Sequence, residues 1–353
     1  MNRTVSWSIC LAIMLVITAC GEGTATPQAP PVPAASNPAA SSALAPPTAP
    51  PTAPSPGPIQ TPAAKASHVV ILVIDGPRWS ETFGEPTKQY IPHLAKELAP
   101  QGAVWSDFSN DGPTLTTPGH TAIITGFHQE IDNGGRERPA HPSMLQMMVR
   151  DGGSDALAWL ITSKDKLAVL NNCTDPAWKD QWLCRSDCGT GGKGLGAGYR
   201  EDAETMQRVL EILPMDHPRL VLINLKQPDA AGHSKDWAGY LKGIQAGDAS
   251  AKALWDMLQQ DPVYRGTTDL FITNDHGRHL DGHKDGFVSH GDDCAGCRKI
   301  MLVALGPDAP AGAVFAAHRN QIDLAATTAH ILGLRLVGST GKVMDELWTG
   351  SAR

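Results

Sequence analysis

Val69-Val70-Ile71-Leu72-Val73-Ile74 runs through six apolar positions without a polar break and stops at Asp75-Gly76. A strand with one face in water would alternate, so an unbroken β-branched run predicts a strand buried on both faces. Residues 219–224, 269–273, 157–161 and 300–305 read the same way. Between these runs, apolar residues recur at helical spacing over 91–98, 142–150, 201–213, 240–260 and 322–332. Buried strands alternating with helices predict an α/β fold with a central, mostly parallel sheet and helices on both faces. No repeat of solenoid period is visible.

The N-terminal part of the chain has a different pattern. Residues 1–19 carry Arg3 and then a short apolar run, 9–17, with the flanks of a secretory signal peptide. The run ends in Ile17-Thr18-Ala19-Cys20, which resembles a bacterial lipobox, so Cys20 is expected to carry a lipid and to tie the chain to a membrane. Residues 20–66 are otherwise mostly Ala, Pro, Ser and Thr, a composition that buries too little to order itself and reads as a polyproline-like stalk. These features place the protein in the bacterial cell envelope, lipid-anchored and either facing the periplasm or on the outer membrane. Residues 67–353 remain for one large catalytic domain.

The net charge of −7, with no basic block, argues against nucleic acid as a partner. Export also bears on the cysteines. Apart from Cys10 and Cys20 there are five, namely Cys173, Cys184, Cys188, Cys294 and Cys297, and an oxidising compartment leads us to expect disulfides among them. Cys294-x-x-Cys297 also reads as a redox pair or half a zinc site, and the connectivity is not readable.

In open α/β sheets, ligands gather beyond the carboxyl ends of the strands. Asp75 follows the first run, Pro228-Asp229-Ala230-Ala231-Gly232-His233 follows 219–224, and Asn274-Asp275-His276-Gly277 follows 269–273. Ser289-His290-Gly291 precedes the 300–305 run. One Asp after a strand is ordinarily a turn former. Three with histidine companions make a ligand set that suits borderline divalent ions such as zinc. Asp229 and His233 are one helical turn apart, and three Asp with three His suffice for two ions. A nucleophile is offered by Thr114-Leu115-Thr116-Thr117-Pro118-Gly119-His120, where Thr-Pro marks a helix start and places Thr116 at an anion-favouring N-terminus. Taken alone, that threonine reads as a helix cap.

In this order the motifs resemble the alkaline phosphatase superfamily, nearest its nucleotide pyrophosphatase/phosphodiesterase and threonine-nucleophile phosphatase branches. The resemblance implies an alkaline phosphatase-like fold and two divalent metal ions, zinc by expectation. One ion would be held by Asp75, Asp275 and His276 with Thr116, and the other by Asp229, His233 and His290. Thr116 would be the nucleophile, passing through a phosphothreonine intermediate. Asn133 matches an asparagine that meets a phosphoryl oxygen, and Lys164 and Lys166 lie in a segment similar to one in the phosphomonoesterases. Two cations there would favour a small phosphomonoester; otherwise both lysines sit on a solvated loop. The alternatives are a phosphodiesterase or nucleotide pyrophosphatase, a phospho-head-group transferase, or a non-catalytic metal-stabilised binding module. No Cys/Ser-x-Pro-x-Arg segment lies near Thr116, which argues against a sulfatase. Residues 171–199 read as a disulfide-stapled insertion, either a cover for the site or an ordinary loop, the glycine-rich stretch 189–194 as a surface loop, and His279 and His283 as surface histidines or supports for the metal ligands.

Overall fold

The computed structural model describes residues 63–350. The expected signal peptide, Cys20 and most of the stalk lie outside the described residues. Within them, the strands are β1 (His68–Ile74), β2 (Ala103–Ser109), β3 (Ala158–Thr162), β4 (Arg185–Cys188), β5 (Leu220–Leu225), β6 (Thr268–Thr273), β7 (Lys299–Leu305), β8 (Ala313–Phe315) and β9 (Arg319–Asn320). The helices are α1 (Thr116–Thr125), α2 (Met144–Gly152), α3 (Asp202–Asp216), α4 (Asp229–His233), α5 (Trp237–Gln260), α6 (Ala295–Arg298), α7 (Gln321–Leu332) and α8 (Glu346–Thr349).

The sheet order is β4-β3-β5-β1-β6-β7-β2-β8, with β9 also on β2. The β1/β5, β1/β6, β3/β4, β3/β5, β2/β8 and β2/β9 pairs are parallel, and β7 runs antiparallel to both β6 and β2. The fold is therefore α/β with a mostly parallel sheet. β1 shows why its sequence has no polar break. Val69, Ile71 and Val73 enter one core with α1, α2 and α7, while Val70, Leu72 and Ile74 enter a second core with α3 and α5. Both faces of the strand are covered, so neither face needs polar side chains.

The backbone N–H groups of Lys65 and Ala66 donate to the Asp308 carboxylate at 2.9–3.0 Å, so the last two residues of the expected stalk are part of the ordered domain. The 91–98 helix is instead a π-helical turn over Leu94–Leu98 followed by a 3-10 turn. The expected disulfides are absent: Cys173, Cys184, Cys188, Cys294 and Cys297 are all free thiols. The 171–199 segment is not stapled, and it is held by the sheet itself. Its residues 185–188 form the edge strand β4, and Cys188 packs in the core beneath it. Just past the glycine-rich stretch 189–194 the chain is pinned from inside, where the Asp165 carboxylate accepts from Gly196 N and Gly198 N at 2.9 and 2.8 Å. Among the described residues, no helix is long and apolar enough to cross a membrane.

Candidate active site

The parallel register of β5, β1 and β6 brings Asp75, Asp229 and Asp275 to one end of the sheet. All three are buried. α4 is the single turn that the Asp229/His233 spacing suggested, and it puts both side chains on one side, with His233 Nε2 3.3 Å from Asp229 Oδ1. α1 starts at Thr116 itself, with Leu115 as its cap and Pro118 third in the helix, so Thr116 is the first helical residue. Gly119 lets this helix approach the turn at Asp275: a Cβ there would stand 2.6 Å from the Asp275 carbonyl oxygen.

The hydrogen bonds around Asp75, Asp275 and His276 define which atoms remain. Asp275 Oδ1 accepts from Gly76 N and His276 N, leaving Oδ2 without a hydrogen bond. Asp75 Oδ2 accepts from Asn224 Nδ2 and Lys164 Nζ, leaving Oδ1 bare. His276 Nδ1 lies 2.8 Å from the Gly277 carbonyl, which only accepts, so Nδ1 carries the proton and Nε2 carries a lone pair. That Nε2 is also bare, and it lies 3.5 Å from each of the two bare carboxylate oxygens. Three buried lone pairs facing one another repel unless a cation lies among them, so this set fits a divalent metal. His120 lies near the same carboxylates, but both its nitrogens are committed. Nδ1 donates to the Thr116 carbonyl at 2.8 Å, and Nε2 accepts from Asn224 at 3.1 Å. His120 therefore holds the Thr116 backbone, and Asn224 holds both His120 and the Asp75 carboxylate.

The second set is assembled differently. His290 Nδ1 donates to the Thr114 carbonyl at 2.7 Å, so its Nε2 faces inward, 3.4 Å from Asp229 Oδ1 and 3.2 Å from His233 Nε2. Here two cations already attend the carboxylate. Arg278 Nη1 contacts Asp229 Oδ1, and Lys164 Nζ lies 2.7 Å from Asp229 Oδ2. Arg278 Nη2 also lies 3.4 Å from His233 Nδ1. Sequence reasoning missed Arg278, His120 and Asn224. The spacing of His120 four residues after Thr116, one helical turn, was the available signal for that histidine.

Lys164 joins the whole arrangement. Its Nζ lies 2.9 Å from Asp75 Oδ2, 2.7 Å from Asp229 Oδ2 and 3.2 Å from Thr116 Oγ1. Burial alone would lower its pKa, but Asp229 and Asp75 raise it above the usual lysine value, so it is an ammonium. Burial and the neighbouring Asp275 push Asp75 well up, whereas Asp229 falls well below the ordinary carboxylate value because Lys164, His233 and His290 together outweigh its burial. Burial holds His276 neutral. Lys164 and Lys166 are buried, which removes the solvated-loop reading. Lys166 Nζ lies 3.1 Å from Asn133 Oδ1, which also accepts from Thr117 N at 2.9 Å. The Asn133 amide oxygen is thus turned to the start of α1, and its Nδ2 group is the one that can donate to an anion there.

Residues 194–335 match the family model of the Metalloenzyme superfamily. Among solved structures, the chain is similar to a protein in the alkaline phosphatase superfamily from Vibrio parahaemolyticus (TM-score 0.58, 15% identity, 80% of this chain and 70% of that one). The fold is that of the alkaline phosphatase superfamily. The alkaline phosphatase-like fold also aligns with a phosphonate monoester hydrolase from Silicibacter pomeroyi (TM-score 0.61, 16% identity, 81% of this chain and 77% of that one). A further match is the PsFucS1 sulfatase from Pseudoalteromonas sp. (TM-score 0.55, 14% identity, 76% of this chain and 68% of that one). No curated protein matches the chain in sequence. One fold thus carries different ester chemistries, so substrate must be argued from the site.

Proposed function

We propose that the protein is a metal-dependent phosphoric ester hydrolase that uses Thr116 as nucleophile, passes through phosphothreonine and prefers phosphomonoesters. The observation that carries this reading is the three bare lone pairs of Asp75, Asp275 and His276 beside the Lys164–Thr116 contact. Asp75, Asp275 and His276 would hold one divalent ion, and Asp229, His233 and His290 a second, zinc being the ion their donors suit. Bound metal would supply the charge that lowers the threonine hydroxyl pKa and neutralises the phosphoryl oxygens. The Lys164 ammonium donates toward Thr116 Oγ1 and favours its deprotonated form. Attack forms the Oγ–phosphorus bond and expels the alcohol. Water then cleaves that bond and releases phosphate. Asn133 and Lys166, at the start of α1, would grip the phosphoryl oxygens. We also propose that Cys20 is lipidated and holds the enzyme in the bacterial cell envelope.

The monoester preference rests on Lys166, because the Lys164 charge is shared with two carboxylates. Burial, with Lys164 adding to it, pushes Lys166 down to about 8. Its ammonium is therefore present below that pH and lost above it, which weakens the grip on a dianion. Activity on nitrophenyl phosphate is expected to exceed that on the bis-ester and on nitrophenyl sulfate, with KM for the monoester rising above about pH 8. Lys166→Arg, charged throughout, should flatten that rise. Preference for the bis-ester or the sulfate would refute the monoester assignment. A pH-independent KM in the parent enzyme would remove Lys166 from the grip. A phosphodiesterase, pyrophosphatase or head-group transferase remains the second reading, because the Lys164 charge is shared with Asp75 and Asp229 and one free cation is less than a dianion rewards.

A further inference from the structure

On either side of His290, the segment 279–297 folds back on itself and collects two further histidines, a carboxylate and a thiol. His279, His283, Asp292 and Cys294 each offer a donor atom, and these atoms all lie within 4.8 Å of one another. None of the four belongs to either ligand set of the active site. His279 is buried, at 2% exposure. Its Nδ1 faces Asp285 Oδ1 at 3.0 Å, the carboxylate partner that fixes a metal-binding imidazole with Nδ1 protonated and Nε2 open. That Nε2 is buried and makes no hydrogen bond, although Asp292 Oδ2 stands 3.3 Å away. A lone pair facing a carboxylate oxygen at that distance calls for a cation between them.

The other donors point the same way. His283 Nε2 lies 3.0 Å from Asp292 Oδ2. Asp292 Oδ1 accepts from Cys294 N at 3.1 Å, which orients Oδ2 into the group. Cys294 Sγ caps the short α6, accepting from Cys297 N at 3.4 Å. Lys284 Nζ, on a half-exposed side chain, lies 2.7 Å from Asp292 Oδ2 and would have to swing into solvent. Four donors around one zinc-like ion, at about 2.0–2.3 Å each, stand roughly 3.3–3.8 Å apart, so the group needs only a small contraction.

We propose that His279 Nε2, His283 Nε2, Asp292 Oδ2 and Cys294 Sγ form a structural site for a zinc-class cation, separate from the active site. Two imidazoles, one carboxylate and one thiolate complete a tetrahedral shell and leave no position for substrate, and the sulfur selects zinc over magnesium or calcium. Binding releases the Cys294 thiol proton. The site would fasten the loop carrying His290 against the nucleophile loop, because Thr114 Oγ1 donates to the Asp292 carbonyl at 2.8 Å and His290 Nδ1 to the Thr114 carbonyl. The same loop packs on the metal-site turn: a Cβ on Gly277 would stand 1.9 Å from the Gly296 carbonyl oxygen.

Cobalt(II) distinguishes this site from the active site, whose candidate ligands include no sulfur. Full-length protein loaded with cobalt is expected to show a thiolate-to-metal charge-transfer band that saturates at one equivalent. The band should vanish in Cys294→Ser and persist in Asp275→Asn. Absence of the band in the parent protein, or its survival in Cys294→Ser, would overturn the site. Should Cys294→Ser misfold, alkylation of the parent protein decides: zinc should slow labelling of Cys294 by about tenfold or more, reversed by chelator. Equal labelling with and without zinc would equally overturn it.

Discussion

Thr116→Ala is expected to lower kcat on phosphate esters by about 10⁴-fold or more, the scale at which loss of a covalent nucleophile is felt. The change removes one hydroxyl and one methyl from a buried position at the first residue of α1. The backbone N–H groups of the helix start, His120 and the three aspartates are untouched, so folding and metal content should be nearly unchanged. Steady-state kinetics with elemental analysis on the same preparation checks both halves. Full activity in the variant would show that the hydroxyl is not the attacking group. Loss of metal together with activity would show that Thr116 acts chiefly as a ligand.

The second large effect is expected at Asp275. Asp275→Asn can keep the two hydrogen bonds that Oδ1 accepts from Gly76 N and His276 N. It replaces the bare Oδ2 with a group that cannot bind a cation and removes a negative charge. Losing an outer-shell partner of a metal ligand costs about 10–100-fold in affinity or activity, and losing the ligand itself should cost more. Metal affinity and kcat/KM should therefore fall together by more than about 100-fold. Isothermal titration of the chelated variant with zinc, beside the kinetics, measures this. Parent-like zinc binding would mean that the Asp75/Asp275/His276 set is not the cation's seat.

What was legible in the sequence follows from what each element buries. β1, β3, β5, β6 and β7 lie inside the sheet with both faces covered, so their runs are continuous and readable. β2 is interrupted by Ser106 and Asp107, where its pairing with β7 shifts register, and the break hid it. β4, Arg-Ser-Asp-Cys on the sheet edge, has no apolar pattern to read. α1 is buried along its whole length, so it carries no amphipathic stripe and only Thr-Pro marked its start.

The candidate ligands could be read because each follows a strand end or lies in a short motif. The carboxylate partners of Lys164 and Arg278 could not be read, because their charged ends find Asp229 across 65 and 49 residues of chain. Long flexible side chains choose partners through tertiary structure, which local spacing does not encode. The disulfide expectation failed for a related reason. It rested on compartment, whereas Cys188 is positioned by core packing and Cys294 by capping a turn.

The most direct test is to quench the enzyme in acid during turnover of a phosphate-labelled monoester and locate the label by peptide mass spectrometry. Phosphate esterified to Thr116 is expected in the parent protein and none in Thr116→Ala. Sustained turnover with Thr116 never phosphorylated, or phosphate on another side chain, would contradict this expectation.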